Sequence, residues 1–316
     1  MADSDFFVKK FSVGLNLKES LADIARFMEK NRKWLNSVYF SVPLGMKFYS
    51  REELAEEYSN AETKLIAALD ILNELGIRRE MAINTWYLTS QDLEHVAEFC
   101  DKYDLSPEEI VCLKDYGKFF RQSFLNAEIK YSVNNPESDG SKITPDFHTL
   151  VAGKGLLRDI EARHSYVDKG YSVTLLLNNG CVSICNTICE SIKCHRYFDS
   201  LINAEGIYLV YAKCSFFPSE LKALIMFDEY SKFYKYKISN RPLGLEYTQQ
   251  VLDAYLSLQD DYEAMTSDYR KMARFCTAGA IARKLQHVNL EQVKKYKEQW
   301  IMEMQRDCNR KEYSGF

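Results

Sequence analysis

Thiol side chains are concentrated in one short stretch of the chain. Four of the nine cysteines, Cys181, Cys185, Cys189 and Cys194, fall within fourteen positions, where an even spread over 316 residues would place about 0.4 of one, and His195 follows directly. Thiolates are soft ligands for iron–sulfur clusters and zinc, and several of them converge favourably only around a cation. The stretch therefore predicts a metal site.

The spacing of these cysteines bears on which metal they bind. The pattern is C-x3-C-x3-C-x4-C, without the C-x2-C pairs that are usual in structural zinc sites. Wider gaps are compatible with a bulkier iron–sulfur cluster, which needs four ligands spread over a larger volume. We predict this cluster, with zinc as the alternative. A third interpretation has no metal, because cysteine also acts as a small buried hydrophobe, and Cys181, Cys185 and Cys189 would share one face of a helix.

The cysteine stretch follows the clearest strand pattern in the chain, "YSVTLLLNNG". Counting from Val38 there are about eight such patterns, most of them separated by a helical pattern. The predicted strands cover 37–45, 80–87, 109–113, 127–134, 147–153, 171–180, 206–213 and 234–240. Repeated strand–helix units give parallel strands, and eight of them predict an α/β fold, a closed (β/α)8 barrel. A doubly wound open sheet is the rival.

In such a barrel the chemistry lies at the carboxyl ends of the strands. Cys214 directly follows the predicted strand 206–213. In the chain, this strand comes next after the strand 171–180 that precedes the cysteine stretch. Consecutive barrel strands are neighbours, so we expect Cys214 to reach that stretch. The predicted ligands are Cys181, Cys185 and Cys214, with Cys194 or Cys189 as the fourth.

The pattern divides the chain into a barrel with an N-terminal helix, 1–258, and a charged, helix-prone extension, 259–316. We expect the extension either to pack on the barrel or to bind a protein partner. A net charge of −4 gives no indication of nucleic-acid binding. No signal peptide or membrane span is evident, which predicts a cytoplasmic protein, and nine cysteines there are not expected to form a disulfide framework.

Three charged or titratable residues are candidates for catalysis. His195 is placed to donate a proton or to lie beside the cluster, although it is equally compatible with an ordinary loop residue. Arg158 and Arg241 lie near predicted strand ends, where a guanidinium can bind a carboxylate in bidentate fashion. Surface salt bridges are the alternative for both arginines.

Polar residues at strand ends predict a binding pocket for a small-molecule substrate or oxygen donor at the barrel mouth. They are Asn84, Ser132, Asn134 and Asn178. Asparagine is also common in turns, where its side chain bonds to nearby backbone.

Several segments together resemble the barrel proteins of peptidase family U32. They are "LLLNNGCVSIC" with His195, Cys214 followed by "FFPSELKAL", "YKYKISNRPL", and the strands "MAINTW" and "AEIKYSVNN". The resemblance covers residues 38–258. It implies a barrel with a four-iron cluster, related to enzymes of oxygen-independent hydroxylation, some of which use a carboxylate as oxygen donor. Peptidase motifs such as H-E-x-x-H and G-x-S-x-G are absent.

The sequence therefore predicts an iron–sulfur oxidoreductase or hydroxylase that acts in biosynthesis or modification. One alternative is a non-catalytic, metal-stabilised scaffold subunit that positions an enzyme through the extension. Another is a radical S-adenosylmethionine enzyme. Such enzymes carry C-x3-C-x2-C, normally after the first strand, whereas here one gap is a residue longer and the stretch follows a late strand.

Overall fold

Eight parallel strands form a closed barrel in the computed structural model, in which each strand pairs with the next and the eighth pairs with the first. The structure describes residues 4–49, 57–58, 60–135, 137, 139–178, 216–239, 244–259, 295 and 297–306. The strands are β1 Phe11–Gly14, β2 Leu35–Phe40, β3 Arg78–Ile83, β4 Glu109–Cys112, β5 Glu128–Tyr131, β6 Thr149–Ala152, β7 Ser172–Leu176 and β8 Tyr234–Lys237. The predicted (β/α)8 barrel is confirmed, and the open sheet is excluded.

Helices connect most consecutive strands and cover the outside of the barrel, whereas the described residues between β5 and β6 form turns. The helices of the barrel are α1 Leu21–Asn31, α2 Glu62–Glu74, α3 Ser90–Lys102, α4 Gly117–Ser123, α5 Ile160–Asp168, α6 Pro218–Phe227 and α7 Gly244–Ser257. None of the described helices combines the length and the apolar composition that crossing a membrane requires.

Local signals explain where several helices begin and end. The Ser20 hydroxyl accepts a hydrogen bond from the Asp23 backbone N–H and starts α1. Gly76 ends α2 with a φ of 62°, a left-handed conformation that glycine adopts without a Cβ clash, as its position predicts. The helical pattern over residues 50–76 predicts Ser50 as the N-cap of this helix, but Ser50 lies outside the described residues.

One predicted barrel strand is wrong and one barrel strand was missed. β7 pairs directly with β8, for example through Leu175 and Tyr236, so no place remains between them for a strand over 206–213. The strand that completes the set of eight is β1, near the N-terminus, which the sequence pattern did not predict. Its signal is short but present, because apolar Phe11 and Val13 alternate with small residues at strand spacing. We expected Cys214 to follow a barrel strand next to β7, and this is wrong because β8 occupies that place; Cys214 itself lies outside the described residues.

The main core lies between the barrel and its helices. One side chain from each strand illustrates it, all fully buried: Val13, Val38, Met81, Ile110, Ile129, Leu150, Val173 and Tyr236. These apolar side chains point outward, toward the helices. Because neighbouring side chains of a strand point to opposite faces, the residues that alternate with them point into the barrel.

Part of the C-terminal extension packs on the barrel. Residues 297–306 are helical, and Trp300 and Met304 are buried. The Trp300 ring lies 5.1 Å from the Phe216 ring, between centroids. The guanidinium of Arg158 lies 4.7 Å from the centroid of the Trp300 ring. This segment thus covers the start of α6.

Trp300→Ala should lower the free energy of unfolding by about 3–5 kcal/mol, because it removes a large buried ring and leaves a cavity. Met302 provides a matched control in the same helix, since it is 63% exposed. Met302→Ala should change that free energy by less than about 0.5 kcal/mol. Urea unfolding of both variants measures the difference, and equal effects would mean that Trp300 does not hold the helix on the barrel.

Candidate functional site

The described residues on either side of the cysteine stretch lie next to each other. We call residues 179–215 the cysteine segment. The Phe216 backbone N–H donates a 2.8 Å hydrogen bond to the Leu177 carbonyl oxygen, directly after β7. Both ends of the segment are therefore held at the carboxyl end of β7, where such barrels carry their chemistry. The predicted site residues that it contains lie outside the described residues: Cys181, Cys185, Cys189, Cys194, His195 and Cys214. Arg241 lies outside them as well.

The described part of the chain contains no group of three or more histidine, cysteine, aspartate or glutamate side chains that could hold a metal ion. Its two cysteines, Cys100 and Cys112, are buried. Burial, with a smaller contribution from Asp101, raises the pKa of the Cys100 thiol to about 12, and burial also raises the pKa of Cys112. Burial thus favours the protonated form of both thiols, whereas the thiolate is the ligand form. The predicted centre rests on cysteines outside the described residues, those of the cysteine segment.

Charged side chains cross the interior of the barrel, where branched apolar residues are usual. The Lys130 ammonium lies 2.8 Å from a Glu80 carboxylate oxygen and also contacts Glu109; all three side chains are fully buried. Lys237 contacts the other oxygen of Glu80. Because β8 and β3 are not adjacent in the barrel, this last ion pair spans the interior.

The ion pairs continue toward the amino end of the strands. The Arg78 guanidinium lies 2.6 Å from Glu109 and 3.1 Å from Glu128. Lys235 lies 3.5 Å and 3.4 Å from the same two carboxylates. Together these residues form what we call the lumen network: Arg78, Glu80, Glu109, Glu128, Lys130, Lys235 and Lys237.

The protonation of the buried members follows from their neighbours. Burial would raise the pKa of Glu109, but the positive charges of Lys130, Lys235 and Arg78 hold it well below its usual range. Burial would lower the pKa of Lys130, but the carboxylates of Glu109 and Glu80, with Glu128, raise it. The Glu109 carboxylate and the Lys130 ammonium therefore stabilise each other in the charged forms.

The pKa of Lys237 is shifted in the opposite direction to that of Lys130. Burial lowers the pKa of Lys237, and the nearby Lys130 charge acts in the same direction. The carboxylates of Glu80 and Glu109 oppose this shift only in part. Lys237 is therefore the amine of the two that loses its proton more readily.

The structure brings together three of the four polar residues predicted at the barrel mouth. The Asn134 side-chain amide donates a 3.2 Å hydrogen bond to the Asn84 carbonyl oxygen, and the Asn134 backbone N–H donates a 3.1 Å bond to the Ser132 hydroxyl. Asn178, the fourth of these residues, lies apart from them, at the carboxyl ends of β7 and β8. Its side-chain oxygen accepts a 2.7 Å bond from the Ser239 backbone N–H, which ties the end of β7 to the end of β8.

Arg158 makes the bidentate carboxylate contact expected of it, but with a residue of the same chain. Its two terminal nitrogens lie 2.9 Å and 3.0 Å from the two oxygens of Glu220, which is fully buried. The guanidinium also lies over the rings of Phe216 and Trp300. The arginine therefore holds the start of α6, beside the end of the cysteine segment, and its contact with Glu220 would have to open before it could bind a substrate carboxylate.

The lumen network was missed by the sequence analysis, although a signal for it exists. Charges recur at every second residue in the strands, as with Glu128 and Lys130 in β5 and with Lys235 and Lys237 in β8. Where helices cover an apolar outer face, such alternation can only place the charges inside the barrel.

Comparison with known proteins extends only to the fold. No protein-family model matches the sequence, and no curated protein matches it. The U32 peptidase Mk0906 has 10% identity over 73% of this chain and 93% of its own, with a TM-score of 0.41. The tryptophan synthase complex from Pyrococcus furiosus has 10% identity over 80% and 95%, with a TM-score of 0.37. A psychrophilic family 10 endo-beta-1,4-xylanase has 10% identity over 74% and 87%, with a TM-score of 0.35. At this identity the likeness concerns the fold alone, and the strand pairing establishes that this chain is a closed parallel barrel.

Proposed function

We propose that the protein is an iron–sulfur enzyme of oxidoreductase or hydroxylase type, with its cluster held by thiolates of the cysteine segment at the carboxyl end of the barrel. The observation that carries the proposal is the hydrogen bond between Phe216 and Leu177, which holds both ends of that segment together. A chain extends by at most about 3.6 Å per residue, so Cys181 lies within about 14 Å of Leu177 and Cys214 within about 7 Å of Phe216. We first expected the thiols to converge because two neighbouring strands would carry them. The short chain distance from Leu177 and Phe216 now supports that convergence instead.

Cys181, Cys185 and Cys214 would hold the cluster, with Cys194 or Cys189 as the fourth ligand. Five thiols in one segment suit a four-iron cluster, which takes four thiolates. When bound, the cluster would supply electron transfer or a binding position for an oxygen donor. A cytoplasmic location, which would keep these thiols reduced, is part of the proposal.

The substrate would be a small polar molecule bound at the barrel mouth. Asn84, Ser132 and Asn134, which hydrogen-bond to one another near the ends of β3 and β5, would line one side of this site. Arg241 would bind a carboxylate of the substrate or oxygen donor, and His195 would donate a proton. The resemblance to family U32 supports a carboxylate as the oxygen donor.

Metal and sulfide content test the proposal. Full-length protein purified without oxygen, from cells supplied with both iron and zinc, should contain about four iron and about four acid-labile sulfide per chain. Zinc in place of iron would favour the zinc-stabilised alternative. A folded protein without metal would mean that the cysteines serve only as small apolar side chains.

A further inference from the structure

Lys237 occupies a position that the proposed iron–sulfur chemistry does not use. It is the last residue of β8, at the carboxyl end of the barrel, and its side chain is 11% exposed, whereas that of Lys130 is fully buried. Its ammonium lies 4.1 Å from the centroid of the Tyr39 ring. The Tyr39 hydroxyl donates a 2.9 Å bond to the Ile238 carbonyl oxygen, which fixes the ring beside the lysine.

The charges of the lumen network balance without the proton of Lys237. Three carboxylates, those of Glu80, Glu109 and Glu128, face four cations when Lys237 is protonated. A neutral Lys237 leaves three cations for three carboxylates. Glu80 then keeps Lys130 at 2.8 Å and the Ser37 hydroxyl at 3.3 Å, so it is not left as an unpaired buried charge.

We propose that Lys237 is a reactive amine that binds an aldehyde or ketone substrate covalently, as an imine, at the carboxyl end of the barrel. Its position at a strand end, its small exposed fraction and its dispensable charge carry the proposal. An amine that is desolvated and lies next to another cation is activated as a nucleophile. The proposal goes beyond the iron–sulfur function and does not depend on it.

The bond-forming step needs no co-reactant. The ammonium first releases one proton to solvent. The neutral nitrogen then adds to the carbonyl carbon and forms the C–N bond, and both nitrogen hydrogens pass to the carbonyl oxygen, which leaves as water. The described groups that face the amine are the Tyr39 ring from β2, Glu80 from β3, Glu109 from β4 and Lys130 from β5. Burial and Lys130 favour the neutral amine, whereas the two carboxylates favour the ammonium.

Reductive methylation of the full-length native protein tests both access and protonation, because formaldehyde forms an imine that cyanoborohydride traps as a methylated amine. The extent of labelling is measured for each lysine by peptide fragmentation over a series of pH values. The exposed Lys118 is the reference. Lys237 should be labelled with a pH midpoint below that of Lys118, and Lys130 should stay unlabelled.

Two results would overturn the proposal: an unlabelled Lys237 in protein whose Lys118 is fully labelled, or a Lys237 midpoint at or above that of Lys118. A purely structural lysine, held as an ammonium by Glu80, would give one of these. Repeating the measurement on Cys181→Ser protein separates this proposal from the cluster. The labelling of Lys237 should persist there, whether or not the wild-type protein contains iron.

Discussion

Replacing Lys130 with methionine should lower the free energy of unfolding by about 3–5 kcal/mol, since it removes the fully buried cation between Glu80 and Glu109. These carboxylates then keep only cations that are more exposed than Lys130: Lys237, Arg78 and Lys235. Lys130 lies in the middle of the barrel between Glu80 and Glu109, and none of the three side chains is exposed. Methionine has a similar shape and fills the space, so the effect isolates the lost charge rather than a cavity. Urea unfolding at neutral pH measures it.

A surface lysine gives the matched control. Lys118 in α4 is exposed, and Lys118→Met should change the free energy of unfolding by less than about 0.5 kcal/mol. The Lys130→Met/Glu109→Gln double variant should lose less than the sum of the two single variants, because the pair acts as a unit. A loss below about 1 kcal/mol for Lys130→Met would mean that water or other cations compensate the carboxylates.

The same lysine makes a prediction about pH. Its pKa is raised in the folded protein by Glu109, Glu80 and Glu128, against the effect of burial. The stabilisation is therefore complete below the unfolded pKa of about 10.4, and it is lost as the pH rises through the higher folded value. The difference between wild-type and Lys130→Met protein should stay constant from neutral to mildly alkaline pH and shrink only in strong alkali.

The second large effect concerns the proposed metal centre. Cys181→Ala should remove the iron and the brown colour of anaerobically purified protein, because the cluster loses one of its thiolate ligands. Iron content and the visible absorption spectrum measure the loss.

Cys100→Ala is the matched control. Cys100 is buried in α3, outside the cysteine segment, where burial raises the pKa of its thiol to about 12. That variant should keep its iron, with at most a small decrease in the free energy of unfolding. Iron retained in full by Cys181→Ala, or lost equally from Cys100→Ala, would contradict the assignment of ligands to the cysteine segment.

The sequence predicted the barrel because most of its strands are apolar runs separated by amphipathic helices. Helix ends were also predictable where a local signal sets them, as Gly76 does for α2. β1 was missed because four residues with only two apolar side chains give a weak pattern. The strand expected over 206–213 had the right composition, but β7 and β8 pair with each other and leave it no place in the barrel. Composition alone does not determine which runs pair.

The contacts around the site depended on partners that the sequence does not specify. Arg158 makes the predicted bidentate contact with a carboxylate, but its partner Glu220 is 62 residues away in the chain. Trp300, which covers the guanidinium, belongs to the C-terminal extension. The lumen network was predictable in principle, from charges at alternate strand positions combined with an apolar outer face. It was missed because strand charges were not assigned to a face of the barrel.

X-ray absorption at the iron edge, on full-length protein purified without oxygen, tests the central claim most directly. The account predicts a first shell of sulfur around iron together with iron–iron scattering, and the loss of that signal in Cys181→Ala but not in Cys100→Ala. A folded protein that contains no iron, or iron surrounded only by nitrogen and oxygen, would contradict a thiolate-held cluster at the carboxyl end of β7.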